Sequence, residues 1–379
     1  MKLAIINITG GNISGGYRAY LQEIIPKIAV SSRVSALLVG LPENVDFPTI
    51  RKDYPSVEWL KMRPVPFARS GIDLKAKNII KIFNPDVIYI PTARYWSFKN
   101  IPVVNMNQNM EPYIPPVECN PLSENIRLFL LKKEGTFAFR KARKVIAISN
   151  FVKDTLVNDS RIPESKIVVI HHGRSQITEK TKYVKPLSLP DERKDNFVFT
   201  AGSIRPARGL EDILKALNHL KLKKVNINLV IAGSTVPNMQ RYRKHLENYI
   251  FKNDLSNNIF WLDEINPAEM NWCYKKCKCF VMTSRIEACS IIALESMTHG
   301  CVTISSDNPP LPEIYTNSAL FYPPRDHKFL AKIIMDVQSF SQKRIAQIRD
   351  NSMDKANDFN WDKCAAATID LLVKVANTK

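Results

Sequence analysis

Apolar residues along this chain gather into short continuous runs separated by amphipathic stretches, and the runs come in two series. The first opens with KLAIINI (Lys2 to Ile8), near-continuous in the manner of a strand buried on both faces. VSALLVG, DVIYIP, PVVNMN, KVIAIS and KIVVIH repeat that pattern, and helical periodicity occupies Leu74 to Phe83 and Ser123 to Arg143 between them. Such alternation predicts an α/β fold whose parallel strands are joined by right-handed crossovers. Residues 174–195, RSQITEKTKYVKPLSLPDERKD, break the pattern; they are polar, hold two prolines, and read as an interdomain linker. A second series follows, NFVFTAG, INLVIAG, NIFWLD, CFVMT and CVTIS, with helices expected over Leu210 to Leu220 and Arg241 to Phe251. Two α/β domains, 1–173 and 196–360, each opening with a strand and a glycine-bearing loop, imply a cleft between them.

The stretch with the most legible chemistry is SRIEACSIIALESMTHG, Ser284 to Gly300, which follows the apolar run CKCFVMT. Ser290 is the expected N-cap of a helix ending at Gly300. Glu287 then stands in the turn before the helix, and Glu295 about one and a half turns inside it. Backbone N–H groups of residues 288–291 would point between the two acids, a setting suited to phosphate. Two carboxylates could hold sugar and ribose hydroxyls while the helix end takes a diphosphate. An amphipathic helix with two solvated acids is the competing reading.

At 379 residues the chain is too long for one ordinary core, which agrees with two domains. It has no run of eighteen apolar residues, so no transmembrane helix is expected. Its start, MKLAIINITGG, is too short and strand-like for a signal peptide. Seven cysteines, an odd and irregularly spaced set, suggest reduced thiols and a cytoplasmic location. Cys273, Cys277 and Cys279 lack a nearby histidine and read as structural rather than metal-binding. The net charge of +18, densest over Arg127 to Lys144, favours anionic partners. Without a zinc-finger or RNA-recognition signature, nucleic acid ranks last among them and is not expected as a partner. The first loop, TGGNISGG, does not make the spacing G-x-G-x-x-G, which counts against a nicotinamide enzyme.

Several landmarks occur together: SGGYRAYL near the start, VIHHG before the linker, GSIRPARGLEDILKAL, the Glu-x7-Glu stretch, and NPPLPEIYTNSALFYPPRD after it. With them, essentially the whole chain resembles the retaining, GT-B glycosyltransferases often called family four. The resemblance implies two Rossmann-like domains facing across a cleft. The second domain would hold a nucleotide diphosphate sugar and the first the acceptor, with a helix over about 361–379 crossing back to the first. It also implies that Glu287 contacts the donor hexose, that Glu295 holds the ribose, and that Arg208 binds the diphosphate. Gly202, Ser203, Ala288, Cys289, Ser290, Ile291, Gly15 and Gly16 fall at the family's donor-binding positions. No cofactor and no metal are expected, since a cation, a helix N-terminus and acids would surround the diphosphate.

The departures from the family pattern matter. Ser203 stands where relatives carry arginine, so Arg205 either supplies that guanidinium or is a surface charge. Ala288 and Ser290 replace the usual glycines but are small enough to leave the backbone accessible. Gln108 and Asn109 stand where many relatives carry a histidine–aspartate pair. Glutamine cannot act as a base, so both are assigned to sugar positioning, with Glu111 the nearest titratable group. His171 and His172 read as hinge structure at a domain edge. The basic segment 125–144 is either a core-packing helix with a solvated face or a surface resting on anionic lipid, presenting a lipid-linked acceptor. The expected activity is retaining hexosyl transfer to a hydroxyl of a glycan or lipid-linked acceptor in surface polysaccharide or glycolipid assembly, at the inner face of a membrane. The alternative is an inactive sugar-nucleotide-binding scaffold of a glycan-assembly complex.

Overall fold

The computed structural model describes all residues except 11–12, 66–72, 99, 115–117, 119, 192–195 and 379. The chain divides into two compact units: Met1–Tyr113 with Ile126–Gly173 and Asn360–Lys379, and Ile114–Asn125 with Arg174–Phe359.

Among the described residues, the first unit holds seven strands: β1 (Lys2–Ile6), β2 (Ala36–Pro42), β3 (Val57–Met62), β4 (Val87–Ile90), β5 (Val103–Asn107), β6 (Lys144–Ala147) and β7 (Ile167–Val169). They pair in parallel in the order β3-β2-β1-β4-β5-β6-β7. The central strands are buried along their whole length, which is why they read as continuous apolar runs. Strand β3, VEWLKM, has no such run. It lies at the sheet edge with Glu58 and Lys61 exposed, so its pattern alternates and escapes a search for buried runs.

The helix Trp361–Asn377 belongs to this unit, started by Asn360, whose side chain accepts from the N–H groups of Asp362 and Lys363. It packs on the Gly15–Ala29 helix, with Lys27 2.6 Å from Asp362 and Arg33 paired to Asp370. Between them lies an aromatic stack in which His172 sits 4.9 Å from the Tyr20 ring and 5.5 Å from Trp361. His172 therefore packs as an aromatic body, and burial, aided by His171, pushes its imidazole down to about 3.

The second unit holds β8 (Phe197–Ala201), β9 (Asn228–Ala232), β10 (Ile259–Asp263), β11 (Cys279–Met282), β12 (Thr303–Ser306) and β13 (Ala319–Tyr322), parallel in the order β10-β9-β8-β11-β12-β13. Strand β13, also unread in the sequence, is a half-buried edge. Ile213, Leu214, Leu217 and Leu220 of the Leu210–Leu222 helix recur at helical spacing and bury against Val198, Leu229 and Ile231 of the sheet.

Two boundaries differ from expectation. Residues 114–125, expected in the first domain, group with the second unit, where buried Glu124 accepts from Asn238 Nδ2 at 3.3 Å and lies 3.7 Å from Arg205 Nη2. The span 174–195 is not a free linker in its described part. Val184 N donates to Ala268 O at 3.0 Å, Asn271 Nδ2 donates to Lys182 O at 3.1 Å, and Leu189 is fully buried. One leucine and a few backbone bonds fasten a segment whose composition is otherwise polar; residues 192–195 lie outside the described set.

His172 generates a stability prediction. Because it binds its proton less readily folded than unfolded, its contribution is complete above the ordinary histidine pKa and is lost as pH falls toward 3. Between pH 6.5 and 5 the protein should lose ~2 kcal/mol that His172→Phe does not lose. Urea midpoints of both proteins at the two pH values measure this.

Candidate functional site

Open parallel sheets offer ligands the C-terminal ends of strands where successive connections leave in opposite directions. In the second unit that point lies between β8, which leads to β9, and β11, which leads to β12. The loop after β8 carries Gly202, Ser203, Arg205 and Arg208, and the loop after β11 carries residues 284–290.

The β8 loop is laid along its neighbour by bonds from Gly202 N to Ala232 O (2.9 Å) and from Ile204 N to Ser234 O (3.0 Å). Gly202 has φ +119°, and a Cβ there would stand 2.7 Å from Nε of Arg208. The adjoining Gly233 has φ +142°, and a Cβ on it would meet Gly202 O at 2.0 Å. Both positions thus demand glycine, for backbone conformation and for close approach.

Arg208 closes a single 3₁₀ turn, Pro206–Arg208. Thr283 Oγ1 donates to Arg208 O at 2.6 Å, and Arg285 N donates to Ala207 O at 2.7 Å, so the turns after β8 and β11 are stitched together. Arg208 Nη1 donates to the Glu287 carboxylate and, at 3.1 Å, to Ser284 Oγ. The structure thus joins the two residues expected at the diphosphate and at the sugar in one ion pair, with side-chain exposures of 21% and 10%. Arg205 is placed differently, its charge near buried Glu124 rather than on Glu287. Behind this pair, Arg285 donates two bonds of 2.6 Å to the buried Asp212 carboxylate. Asp212 also accepts from Tyr322 OH at 3.2 Å and Arg325 N at 2.9 Å, so its acceptor sites are well filled.

Ala288 and Cys289 are buried, so this segment can offer a ligand little besides backbone. Ser290 occupies the N-cap position of the Ile291–Thr298 helix but makes no capping bond, contrary to expectation. Side-chain capping needs an extended backbone at that residue, and Ser290 has φ 65° and ψ 92°. Its buried hydroxyl has no partner among the described residues. Ile291 is half-buried, and Gly300, φ +62°, lies just past the helix end.

Glu295 lies on this helix, and Tyr274 OH donates to its Oε2 at 2.9 Å. Burial pushes the Glu295 carboxyl up to about 7, against the opposing pull of the tyrosine bond. Cys273, Cys277 and Cys279 are buried free thiols nearby.

In the first unit, Gln108 follows β5 and its Nε2 donates to Pro91 O at 2.7 Å, fixing the loop after β4. Asn109 Oδ1 accepts from Glu111 N at 3.0 Å. Gly15 and Gly16 are not loop residues; they form the first turn of a helix whose N-cap, Ser14, accepts from Tyr17 N. A Cβ on Gly15 would meet nothing within 4 Å, so no neighbour in the described chain explains that glycine.

A separate cavity of about 230 Å³ is lined by Pro206, Asp212, Lys215, His245, Tyr249 and Arg285 among others, and neither Glu287 nor Glu295 forms its walls. Sequence reasoning missed Gly233, Asp212 and Tyr274. The repeat of strand plus glycine in FTAG and VIAG pointed to Gly233; nothing in the local sequence marks the other two.

Asp212 supports a second prediction. Removing one partner of a buried pair leaves an uncompensated charge, so Asp212→Ala should cost about 3–5 kcal/mol of stability. Equilibrium urea unfolding measures it, and the Asp212→Ala/Arg285→Met double variant should recover part of the loss.

Two family models match the chain in tandem: Glycosyltransferase Family 4 over residues 40–175 and Glycosyl transferases group 1 over residues 185–352. Among curated proteins, the O-antigen chain mannosyltransferase RfbU of Salmonella typhimurium is 24% identical over 210 residues, covering 55% of this chain and 54% of the relative. The serotype-specific mannosyltransferase WbdA of Escherichia coli is 24% identical over 327 residues, covering 80% of this chain and 38% of the relative. The chain thus spans about half, or less, of the length of these curated relatives. Among solved structures, Anabaena HepE in complex with UDP-glucose superposes with a TM-score of 0.74 at 18% identity, covering 99% of this chain and 100% of HepE. That likeness, with the two parallel sheets, establishes the GT-B fold.

Proposed function

We propose, for a chain that belongs to the group 1, family-four glycosyltransferases, that it moves a hexose from a nucleotide diphosphate sugar to a hydroxyl acceptor with retained configuration. Surface polysaccharide or glycolipid assembly is the setting we infer, in keeping with the two relatives named as mannosyltransferases. HepE's UDP-glucose complex supports a nucleotide sugar as donor. The observation that carries the reading is the Arg208–Glu287 pair at the point where β8 and β11 diverge, with Glu295 on the helix that follows.

In this reading the diphosphate lies against the N-terminus of the Ile291–Thr298 helix and the guanidinium of Arg208. Nη1 of Arg208 already serves Glu287 and Ser284, and the guanidinium carries five N–H donors, so its other edge can take phosphate oxygens. Glu295 holds the ribose and Glu287 the hexose hydroxyls. Gln108, Asn109 and Glu111 of the first unit are assigned to sugar and acceptor positioning. The bond from the anomeric carbon to the diphosphate oxygen breaks as negative charge grows on the leaving group, and Arg208 stabilises it. The acceptor oxygen bonds to the same carbon, and its proton passes to a donor phosphate oxygen, so no protein base is needed. Metal independence belongs to the proposal and is tested by turnover after chelation.

Glu287→Gln and Arg208→Ala should each lower turnover roughly a hundredfold or more while changing nucleotide affinity far less. Because the two side chains are paired, the double variant should fall well short of the product of the single effects. A thermal-shift panel of UDP, GDP, ADP and their sugars identifies the donor, and kinetics on the variants follow with it. Near wild-type turnover in both single variants overturns the mechanism; binding without turnover for every acceptor offered favours an inactive scaffold.

The Leu122–Lys141 helix supports contact with an anionic membrane. Leu122, Ile126, Phe129 and Leu130 are exposed at spacings that place them on one stripe, with Arg127 and Lys133 exposed beside them. Flotation should recover the protein with anionic vesicles and not with neutral ones. Equal recovery from both removes the membrane role.

A further inference from the structure

Glu295 is one carboxylate on a short helix, and its usefulness to a ligand depends on which way its oxygens face. Tyr274 settles one of them, with its hydroxyl 2.9 Å from Oε2. That tyrosine comes from the Pro267–Lys276 helix, 21 residues upstream of the glutamate. Its own position is held from several sides. The ring stacks on His299 at 5.2 Å and meets Phe199 at 5.3 Å and Phe280 at 5.4 Å. Its carbonyl accepts from the thiols of Cys277 at 3.3 Å and Cys301 at 3.2 Å. His299 in turn has Nδ1 2.9 Å from Glu295 O and meets the Tyr183 ring in a T-shaped contact. A donor locked this firmly does not follow the carboxylate; the carboxylate follows it.

We propose that Tyr274 is a positioning residue for nucleotide recognition: it fixes one oxygen of Glu295 so that the carboxylate presents its remaining acceptor sites to the two vicinal hydroxyls of a ribose. The proposal rests on the assignment of Glu295 to ribose and adds what makes that contact directional. A carboxylate has about four lone-pair sites, so one tyrosine bond leaves enough for both hydroxyls. Tyrosine donates, so it favours the charged form of Glu295, the form that accepts from a diol.

The groups facing this pair are few and mostly neutral. Cys301 and Tyr315 act on Tyr274 from the elements after Glu295, Lys275 acts on His299, and Arg349 acts on Cys277. Burial dominates the carboxyl itself and places it at about 7. Ribose binding should therefore strengthen as pH rises from 6 to 8 and release a proton below pH 7. Removing the tyrosine donor raises the carboxyl further, so the variant's deficit should be largest near neutrality and shrink by pH 9.

Calorimetry with UDP and GDP, each beside its 2′,3′-dideoxy form, tests this on the full chain. For whichever base binds, Tyr274→Phe should weaken the ribonucleotide about tenfold at pH 7, the scale of one hydrogen bond to a charged group. It should weaken the dideoxy form less than about threefold, because that form lacks the hydroxyls the bond serves. Equal losses for both forms, or none for either, overturn the proposal. Wild-type protein titrated at pH 6.5 in buffers of different ionisation heat should release more protons on binding the ribonucleotide than on binding its dideoxy form, which cancels the phosphate's own proton. Equal release from both overturns the ribose assignment on which the proposal rests. Glu295→Gln separates the two levels. If that change leaves ribonucleotide affinity intact, the ribose assignment itself fails. If it weakens binding and Tyr274→Phe does not, only the positioning role fails.

Discussion

The bidentate pair between Arg285 and Asp212 joins the turn after β11 to the first turn of the helix after β8, across the place where the sheet's connections part. Both residues are largely buried, and Tyr322 and Arg325 N complete the carboxylate's bonding. A buried pair of this kind adds little net stability over an apolar equivalent, but it tolerates few alternative arrangements because any misplacement strands a charge. With Arg285 held, its N–H reaches Ala207 O, Thr283 Oγ1 reaches Arg208 O, and the guanidinium of Arg208 meets Glu287. The geometry of the site is thus secured by a pair that need not touch a ligand.

The two glutamates of the same stretch occupy opposite electrostatic settings. Glu287 has a guanidinium against it, which also donates to Ser284 Oγ. Glu295 has the phenol of Tyr274 against it, and burial lifts its carboxyl to about 7. The net charge of +18 does not predict this difference, since a bulk excess of lysine and arginine is largely screened over distances beyond about 10 Å. What differs is local: a guanidinium at hydrogen-bond distance from Glu287, and burial around Glu295.

Backbone conformation supplies a third constraint. Gly202 and Gly233 lie in regions that L residues avoid, and each lacks room for a side chain. Ser290 adopts φ 65° with a Cβ, which costs about 1 kcal/mol or more, and keeps a buried hydroxyl without a described partner. Strain of this kind persists where surrounding bonds over-determine the chain, and here it sits at the start of the helix that carries Glu295.

The sequence by itself determined the two α/β series, the central strands, several of the helices and the Glu-x7-Glu stretch, because all of these depend on periods of two to eight residues. Strands β3 and β13 escaped because edge strands bury one face or only part of their length, and apolar runs do not mark them. The span after Gly173 looked like a linker because one buried leucine and a few backbone bonds leave no compositional trace. Only the tertiary structure decided that Arg208 pairs with Glu287, that Arg205 lies near Glu124, and that Tyr274 holds Glu295. Those partners come from separate helices and loops, between 21 and 81 residues apart, and hydrogen bonds and charge pairs at such separations are set by how the sheet orders its strands, not by spacing along the chain.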